Sequence, residues 1–326
     1  DPTRGFLPST GRLVRYRPPA EGKHDGVTVR NDTGVYEGGE ISIYYDPMIA
    51  KLVTHAATRT RAIEAQADAL DAFYVEGIRH NIPFLSALMR HERWREGRLS
   101  TGFIAEEFPD GFSAQRPSGE TERVIAGVAT HVDHVMNTRK RQISGQLRAA
   151  GRLTFDLARV VAFGETRIAL TVEPRGDGLD IAFAEDGARL SFASAWTPGQ
   201  PVWRGEIDGR AVSAQLRPLL NGFEIAHGGA QVQARVFTAR EAEFAGLMRE
   251  RKGADTSKTL LCPMPGLVKS IAVTEGQEVK AGEALCMVEA MKMENVLLAE
   301  RDVTVKKLLA KPGDSLAVDA VIMEFA

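Results

Sequence analysis

The sequence EAMKMEN occupies residues 289–295 and places one cation, Lys292, between two methionines. It lies inside an internal repeat, because VKSIAVTEGQEV from Val268 matches VKKLLAKPGDSL from Val305. Two four-strand halves of this size are each too small to bury a core alone, so we expect them to pack face to face. The repeat therefore predicts an all-β domain over residues 259–326, with Lys292 at an exposed hairpin tip between the halves.

Lys292 has two possible roles. Most lysines are solvated surface residues, and methionines commonly fill gaps in a core. Here, however, the AMKM tetrapeptide, the PMPG turn at residues 263–266 and the repeat occur together. In combination they resemble the biotinyl domain of biotin-dependent carboxylases, an all-β flattened barrel with a lipoyl-like fold. The related lipoyl domain usually has Asp-Lys-Ala at this tip, so the two methionines favour biotin.

The resemblance implies that Lys292 becomes N6-biotinyllysine, the catalytic attachment point for covalent biotin. An ordinary lysine amine is protonated at neutral pH and is a poor nucleophile, so a biotin protein ligase must supply activated biotin. Acylation removes the charge and produces a long flexible tether. A tether on a rigid tip raises the effective concentration of the carried group at two distant sites.

The first 112 residues are expected to form a mixed α/β domain. The stretch IYYDPMIAKLVTH, residues 43–55, predicts a strand and a turn around Asp46-Pro47. A helix is predicted next, with its end at Gly77, and a second helix is predicted to begin near residues 81–83. Their inward positions are Ile63, Ala67, Leu70 and Phe73 in the first helix and Phe84, Leu85, Leu88 and Met89 in the second.

Three stretches of this domain resemble the C-terminal subdomain of a biotin carboxylase. They are FLPSTGRLVRYRPP (6–19), VRNDTGVYEGGEISIYYDPMIAKL (29–52) and HNIPFLSALM (80–89). The resemblance implies that Arg30 binds the ureido oxygen of biotin, where a fixed guanidinium would stabilise developing negative charge. From the residues alone, a surface arginine that pairs with Asp32 is the alternative.

Residues 113–248 are expected to form one compact middle domain. The segment 120–140 predicts a long helix, and short runs of β-formers from about residue 143 to 238 predict an antiparallel barrel or sandwich. The polar stretch 249–258 predicts a linker. This helix-plus-barrel region resembles the part of acyl-CoA carboxylases that joins their two subunits, which implies a carboxyltransferase β subunit as partner. The apolar stripe of the helix is Val124, Ile125, Val128, Val132, Val135 and Met136.

The middle domain offers no nucleophile–base pair. Its one spacing that suits a metal is His131 and His134, which lie about one helical turn apart. No third ligand is near them in the sequence, so we interpret both as surface histidines and predict no metal site in this chain. The middle domain is therefore expected to dock a partner rather than to catalyse.

Composition excludes several classes of function. The net charge of −2 provides no field that favours nucleic acid, and no apolar run approaches the roughly 20 residues that cross a bilayer. Two cysteines without CxxC spacing suit a reducing compartment. The chain opens on DPTRGFLPSTG without Met and has no glycine-rich phosphate loop. We therefore expect it to be part of a longer polypeptide whose Mg-ATP site lies upstream.

The resemblances together predict a multidomain α+β chain, the C-terminal part of the biotin carboxylase and carrier α subunit of an acyl-CoA carboxylase. In that family ATP and bicarbonate carboxylate biotin, and the β subunit passes the CO2 to an acyl-CoA bound there. Propionyl-CoA is the expected substrate, with 3-methylcrotonyl-CoA as the alternative. A non-catalytic carrier module and the carrier part of a sodium-pumping decarboxylase are alternatives of another class. The expected compartment is the bacterial cytoplasm, or the mitochondrial matrix in a eukaryote.

Overall fold

The computed structural model describes residues 1–4, 6, 8–41, 46, 48–113, 116–142, 156–176, 178–248, 258–290 and 293–326. The predicted linker, 249–258, lies outside them except for Lys258. The chain forms two compact units, Asp1–Leu247 and Met248–Ala326. The first unit holds two separate hydrophobic cores, and the second has one of its own. Among the described residues, no helix is both long and apolar enough to span a membrane.

The N-terminal part of the first unit is mixed α/β, as predicted. Its described residues form three small antiparallel sheets, which order as β1-β5, β2-β7 and β3-β4-β6, and four helices. The strands are β1 (Gly11–Arg12), β2 (Arg15–Arg17), β3 (Gly22–His24), β4 (Val27–Thr33), β5 (Glu40–Ile41), β6 (Ala50–His55) and β7 (Tyr74–Glu76). The helices are α1 (Arg59–Asp71), α2 (Ile82–Arg90), α3 (Glu92–Arg95) and α4 (Phe103–Glu107), after a 3-10 turn at Pro2–Arg4.

Strand β6 confirms the strand that was predicted in residues 43–55, although it covers only the second half of that stretch. Residues 42–45 and Pro47 lie outside the described part of the chain, so the turn predicted around Asp46-Pro47 is not described. Strand β4 is central in its sheet, and its register places Arg30 opposite Val53 of β6.

Helix α1 ends at Asp71, so the prediction that it continues to Gly77 is wrong. The chain leaves the helix early because β7 must extend to pair with β2. Phe73 is buried, as predicted, but it lies after the end of the helix. Gly77 serves a close approach of two backbones instead: its φ is +110°, and an added Cβ would lie 2.1 Å from the carbonyl oxygen of Arg12.

Helix α2 confirms the second predicted helix. It begins at Ile82 with Pro83 in its first turn, where the missing amide of proline costs no intrahelical bond. Phe84, at the centre of the local core, meets three other phenylalanine rings edge to face, at centroid distances of 5.0, 5.4 and 5.3 Å. Those rings belong to Phe6, Phe108 and Phe112.

The rest of the first unit is helix α5 (Gly119–Arg141), a closed barrel of eight antiparallel strands and a short helix α6 (Ala239–Leu247). A barrel is therefore confirmed over the alternative sandwich. Consecutive strands are neighbours, and the last pairs back onto the first. The strands are β8 (Ala158–Phe163), β9 (Thr166–Arg175), β10 (Gly178–Phe183), β11 (Arg189–Ala193), β12 (Val202–Ile207), β13 (Arg210–Leu219), β14 (Gly222–His227) and β15 (Ala230–Phe237).

Helix α5 shares one hydrophobic core with the barrel, and every residue from Val124 to Val132 is buried. The predicted apolar stripe is confirmed, but it describes only part of the buried surface, because the helix is covered on all of its faces over these turns. Small residues, among them Gly127, occupy helix positions between those of the apolar stripe. At Gly127 an added Cβ would lie 1.9 Å from the ring of Phe192, so only glycine fits against this strand of the barrel.

The interpretation of His131 as a surface residue is wrong. Its side chain is 1% exposed, and its Nδ1 accepts a hydrogen bond of 3.2 Å from the indole Nε1 of Trp203. His134 is only partly buried. Among the described residues, no group of three His, Cys, Asp or Glu side chains could hold a metal ion. His131 is therefore a hydrogen-bond acceptor in the barrel core.

Burial lowers the pKa of His131 to about 4, and the nearby His134 acts in the same direction. Because the folded-state pKa lies below the ordinary value, the unfolded chain takes up the proton first as the pH falls. The contribution of His131 to stability is therefore fully present above about pH 6.5 and is lost between about pH 6.5 and 4, by roughly 3 kcal/mol. We expect His131→Gln, which keeps an acceptor for Trp203, to flatten this part of the pH dependence.

The measurement is urea unfolding followed by tryptophan fluorescence at pH 7 and pH 4.5. An equal loss of stability on acidification in wild type and His131→Gln would contradict the assignment of this acid sensitivity to His131.

The second unit is all β, as predicted. Its strands form two four-stranded sheets, ordered β16-β23-β21-β18 and β20-β19-β17-β22. The described strands are β16 (Thr259–Leu261), β17 (Gly266–Ile271), β18 (Glu278–Val279), β19 (Ala284–Ala290), β20 (Met293–Leu298), β21 (Val303–Leu308), β22 (Ser315–Leu316) and β23 (Val321–Phe325).

The two repeat halves interleave, which corrects the expectation that each half packs as a separate layer. Each sheet takes two strands from the first half and two from the second. The repeat is visible in reciprocal bonds: the Gly276 amide donates to the Val305 carbonyl at 2.7 Å, and the Gly313 amide donates to the Val268 carbonyl at 2.8 Å. Both glycines have positive φ, +84° and +96°. The turn of each half therefore bonds to a strand of the other half, and each sheet is completed by strands from both halves.

Candidate functional site

The candidate attachment site lies at the end of the hairpin formed by β19 and β20, here called the carrier hairpin. The strands pair antiparallel as far as Ala290 opposite Met293. Met291 and Lys292 themselves lie outside the described residues, so the exposed position predicted for Lys292 stays a prediction. The described strands show that the chain reverses its direction at this point, as the repeat predicted.

The base of the carrier hairpin is firmly anchored in the core of the second unit. Leu285, Cys286 and Val288 of β19 are fully or almost fully buried, and β19 is central in its sheet between β17 and β20. Burial raises the pKa of the Cys286 thiol to about 11, so this cysteine stays protonated and acts as a small apolar residue. The base of the hairpin is therefore held in place by the core.

A carboxylate pair flanks the end of the hairpin. Glu289 and Glu294 are direct cross-strand partners, a placement that is destabilising for two like charges. Lys269 of β17 lies between them, with its Nζ 3.1 Å from a Glu289 oxygen and 3.8 Å from a Glu294 oxygen. The hydrogen bond and charge of Glu289 raise the pKa of Lys269. Lys269 therefore offsets part of the repulsion, although an exposed pair of this kind is screened by solvent and contributes little to stability.

The predicted PMPG turn lies beside the carrier hairpin. The Met264 carbonyl accepts a bond of 3.0 Å from the buried Cys262 thiol, and the Met264 sulfur accepts one of 3.5 Å from the Asn295 amide of β20. At Gly266 an added Cβ would lie 2.6 Å from the carbonyl oxygen of Glu289, so the glycine lets β17 run close against β19. PMPG and EAMKMEN, which are distant in the sequence, are thus neighbours in the fold.

Arg30 lies on β4 and is 63% exposed. Its guanidinium makes a two-point contact with Asp32, from Nε to Oδ1 at 2.9 Å and from Nη2 to Oδ2 at 3.1 Å. The two residues share one face of the strand because they are two positions apart. The structure therefore contains the pairing of the alternative interpretation, and the biotin contact stays a prediction. Arg30 and the carrier hairpin belong to different units of the chain.

Lys269 and Asp71 are two residues of structural importance that sequence reasoning missed. There was a weak signal for Lys269 in the sequence, because both copies of the repeat have a lysine after their first valine: Lys269 after Val268, and Lys306 after Val305. Asp71 had none: it reads as an ordinary polar residue at a helix end, yet its side chain is buried in a charged cluster.

Three family models match the chain in sequence. They are the biotin carboxylase C-terminal domain over residues 1–106, the propionyl-coenzyme A carboxylase BT domain over 125–251, and the biotin-requiring enzyme model over 258–325. The matches cover the mixed α/β part, the helix with its barrel, and the second unit. Their order along the chain is the order that the resemblances predicted.

Curated relatives match all or nearly all of the chain. The propionyl-CoA carboxylase alpha chain of Ruegeria pomeroyi is 47% identical over an alignment of 340 positions, which covers 100% of this chain and 50% of the relative. The mitochondrial propionyl-CoA carboxylase alpha chain of Mus musculus is 33% identical over 99% of this chain and 45% of its own length. A mitochondrial methylcrotonoyl-CoA carboxylase subunit alpha from Dictyostelium discoideum is 26% identical over 94% of this chain and 44% of its own length.

The chain thus spans about half the length of the curated relatives that it matches. By its three domains, their order and its identity to these relatives, it belongs to the biotin-dependent carboxylases and corresponds to the C-terminal part of propionyl-CoA carboxylase alpha chains.

Proposed function

We propose that this chain is the carrier and subunit-docking part of an acyl-CoA carboxylase α subunit, with biotin attached to Lys292. The observation that carries the proposal is the match of residues 258–325 to the biotin-requiring enzyme model, with AMKM at the end of the carrier hairpin. The 47% identity to a propionyl-CoA carboxylase alpha chain, against 26% for a methylcrotonoyl-CoA relative, supports propionyl-CoA as the substrate of the complete enzyme.

The residues present suit an attached biotin. An amide bond to the Lys292 amine would hold it at the end of a hairpin whose base is buried, so the support would not deform as the group is carried. When bound, biotin supplies a ureido nitrogen that can carry CO2. Glu289 and Glu294 would flank the attachment point, with part of their charge balanced by Lys269.

Arg30 is proposed to bind the ureido oxygen of that group. An exposed guanidinium on a strand can offer two N–H donors in one plane, which suits an oxygen that gains negative charge. The contact would require the Asp32 pairing to be shared or exchanged, since Nε and Nη2 are bonded to that carboxylate. Mg-ATP is proposed to bind outside residues 1–326.

The proposed domain boundaries are 1–112, 113–248 and 259–326, with a linker at 249–258. The family matches at 1–106, 125–251 and 258–325 support this division. Partners of the chain are proposed to be a biotin protein ligase, which acts on Lys292, and a carboxyltransferase β subunit, which binds acyl-CoA. The bacterial relative supports a bacterial cytoplasm as the compartment, and the animal relatives point to mitochondria in eukaryotes.

The docking role of the middle domain predicts a contrast between two deletions in the full-length α subunit. Removal of residues 113–248 should abolish co-purification with the β subunit and leave Lys292 biotinylated, because the second unit has its own core. Removal of residues 259–326 should have the opposite effect, with β binding retained and biotin lost. Retained β binding after removal of 113–248 would refute the docking role.

A further inference from the structure

The two parts of the first unit have separate hydrophobic cores with no residue in common. Their junction therefore depends on other contacts. The described contacts concentrate where the C-terminal end of α1 meets the hairpin turn between β14 and β15. Gln215 of β13 adds a hydrogen bond of 3.2 Å to the carbonyl oxygen of Leu70, next to that site.

Asp71, the last residue of α1, is the centre of this junction. It is 4% exposed, and both of its oxygens accept hydrogen bonds from the Gly228 amide, at 3.0 and 3.1 Å. Its Oδ2 also lies 3.1 Å from Nδ1 of His227 and 3.5 Å from Nη2 of Arg90. Gly228 and His227 belong to the barrel hairpin, whereas Asp71 and Arg90 belong to the N-terminal part. One buried carboxylate thus joins the two parts.

The turn that reaches Asp71 is built for close approach. His227 pairs with Ala230, which leaves Gly228 and Gly229 as the two turn residues, with φ of +63° and +80°. These values are those of a type I′ turn, which favours glycine at both positions. At Gly229 an added Cβ would lie 3.1 Å from the backbone nitrogen of Ala87 and 3.3 Å from its Cα. The turn therefore rests directly on the backbone of α2.

We propose that Asp71, His227, Gly228 and Gly229 form a latch that fixes the barrel in one orientation on the N-terminal part of the first unit. Helix α1, which carries Asp71, also packs against β4, the strand that carries Arg30, and against β6. The latch therefore fixes the docking barrel relative to the sheet of Arg30. This consequence for catalysis rests on the proposed function, whereas the latch itself does not.

The latch specifies orientation because its polar groups have few alternative partners. Removing one partner of a buried carboxylate destabilises a protein far more than the intact pair stabilises it. Positions of the barrel that keep Asp71 buried but without its partners are therefore strongly disfavoured. Burial opposes protonation of His227, but the hydrogen bond and charge of Asp71 outweigh it and raise the pKa of His227. Asp68 and Arg90 are the other charged groups near it, and the Ser213 carbonyl also contacts its Nδ1, at 2.9 Å.

A matched pair of glycine variants tests the latch. Gly229→Ala and Gly209→Ala both place alanine at positive φ in a two-residue hairpin turn of the same barrel, at +80° and +74°. The two sites differ in their surroundings, since an added Cβ at Gly209 meets nothing within 4 Å. Backbone strain is therefore common to both variants, and only Gly229→Ala presses on α2.

The readout is amide hydrogen exchange of α2, residues Ile82–Arg90, in the purified chain. We expect Gly229→Ala to speed this exchange at least about tenfold and Gly209→Ala to leave it as in wild type. Asp71→Asn, which removes the charge and keeps the shape, should speed exchange in α2 and in β14–β15 together. Equal exchange of α2 in the two glycine variants would overturn the latch, even if Asp71→Asn failed to fold. Neither biotin nor a β subunit enters this measurement, so its failure and that of the proposed function are separate results.

Discussion

Lys292→Arg in a full-length α subunit is expected to abolish carboxylation of propionyl-CoA by the α–β complex. Arginine keeps the positive charge, but its guanidinium stays protonated and does not form the amide bond that attaches biotin. The same variant should still carboxylate free biotin in an ATP-dependent reaction, because that step does not need the carrier hairpin. The two assays together separate loss of the tether from loss of the fold.

Lys306→Arg is the matched control for this variant. Lys306 is exposed on β21 of the same unit, and it occupies the repeat position that corresponds to Lys269. It should retain full propionyl-CoA carboxylation and a single biotin. Activity of Lys292→Arg above background would mean that another residue carries the group, and the assignment of Lys292 would fail.

Arg30→Ala has the second largest expected effect. In a full-length α subunit it should slow ATP-dependent carboxylation of free biotin by about 10²–10³, or roughly 2.7–4 kcal/mol, the usual contribution of one donor aimed at developing charge. The fold and the biotinylation of Lys292 should be unchanged, because the side chain is exposed and bonds only to Asp32 among the described residues. Arg30→Lys should recover part of the rate, since an ammonium lacks the planar pair of donors.

Asp32→Ala distinguishes this role from the surface-pair interpretation. If Arg30 serves only to pair with Asp32, both variants should behave alike and neither should slow the reaction. If Arg30 binds biotin, Asp32→Ala should keep a rate within a few-fold of wild type while Arg30→Ala is slow. A wild-type rate in Arg30→Ala would make Arg30 an ordinary surface residue.

The spacing of apolar residues in the sequence predicted those helices and strands that short stretches of sequence determine. The 3.6-residue spacing of apolar residues predicted α2 and α5, and the repeated short runs of β-formers predicted the barrel. The end of α1 was not predictable, because the pairing of β7 with β2 decides it. The interleaved halves of the second unit were not predictable either, since a repeat gives the similarity of two segments but not the sheet that each strand joins.

In the candidate site and around it, too, features set by adjacent residues were predicted, whereas contacts between distant residues were not. The AMKM motif predicted the attachment hairpin because the signal lies within a few adjacent residues. His131 was misassigned because its partner, Trp203, lies 72 residues away and is brought to it only by the barrel. Asp71 gave no signal in the sequence, because its partners come from a distant segment. Gly228 lies 157 residues after it in the sequence, and His227 is the residue before Gly228. Contacts made by side chains across long separations require the fold.

Peptide mass spectrometry decides whether Lys292 is the site of biotin attachment. The chain would be co-expressed with a biotin protein ligase, purified intact, weighed and then digested for mapping. We expect the mass of one added biotinyl group and a modified peptide in which the fragment ions place it on Lys292. An unmodified chain, or biotin on any other lysine, would contradict this assignment.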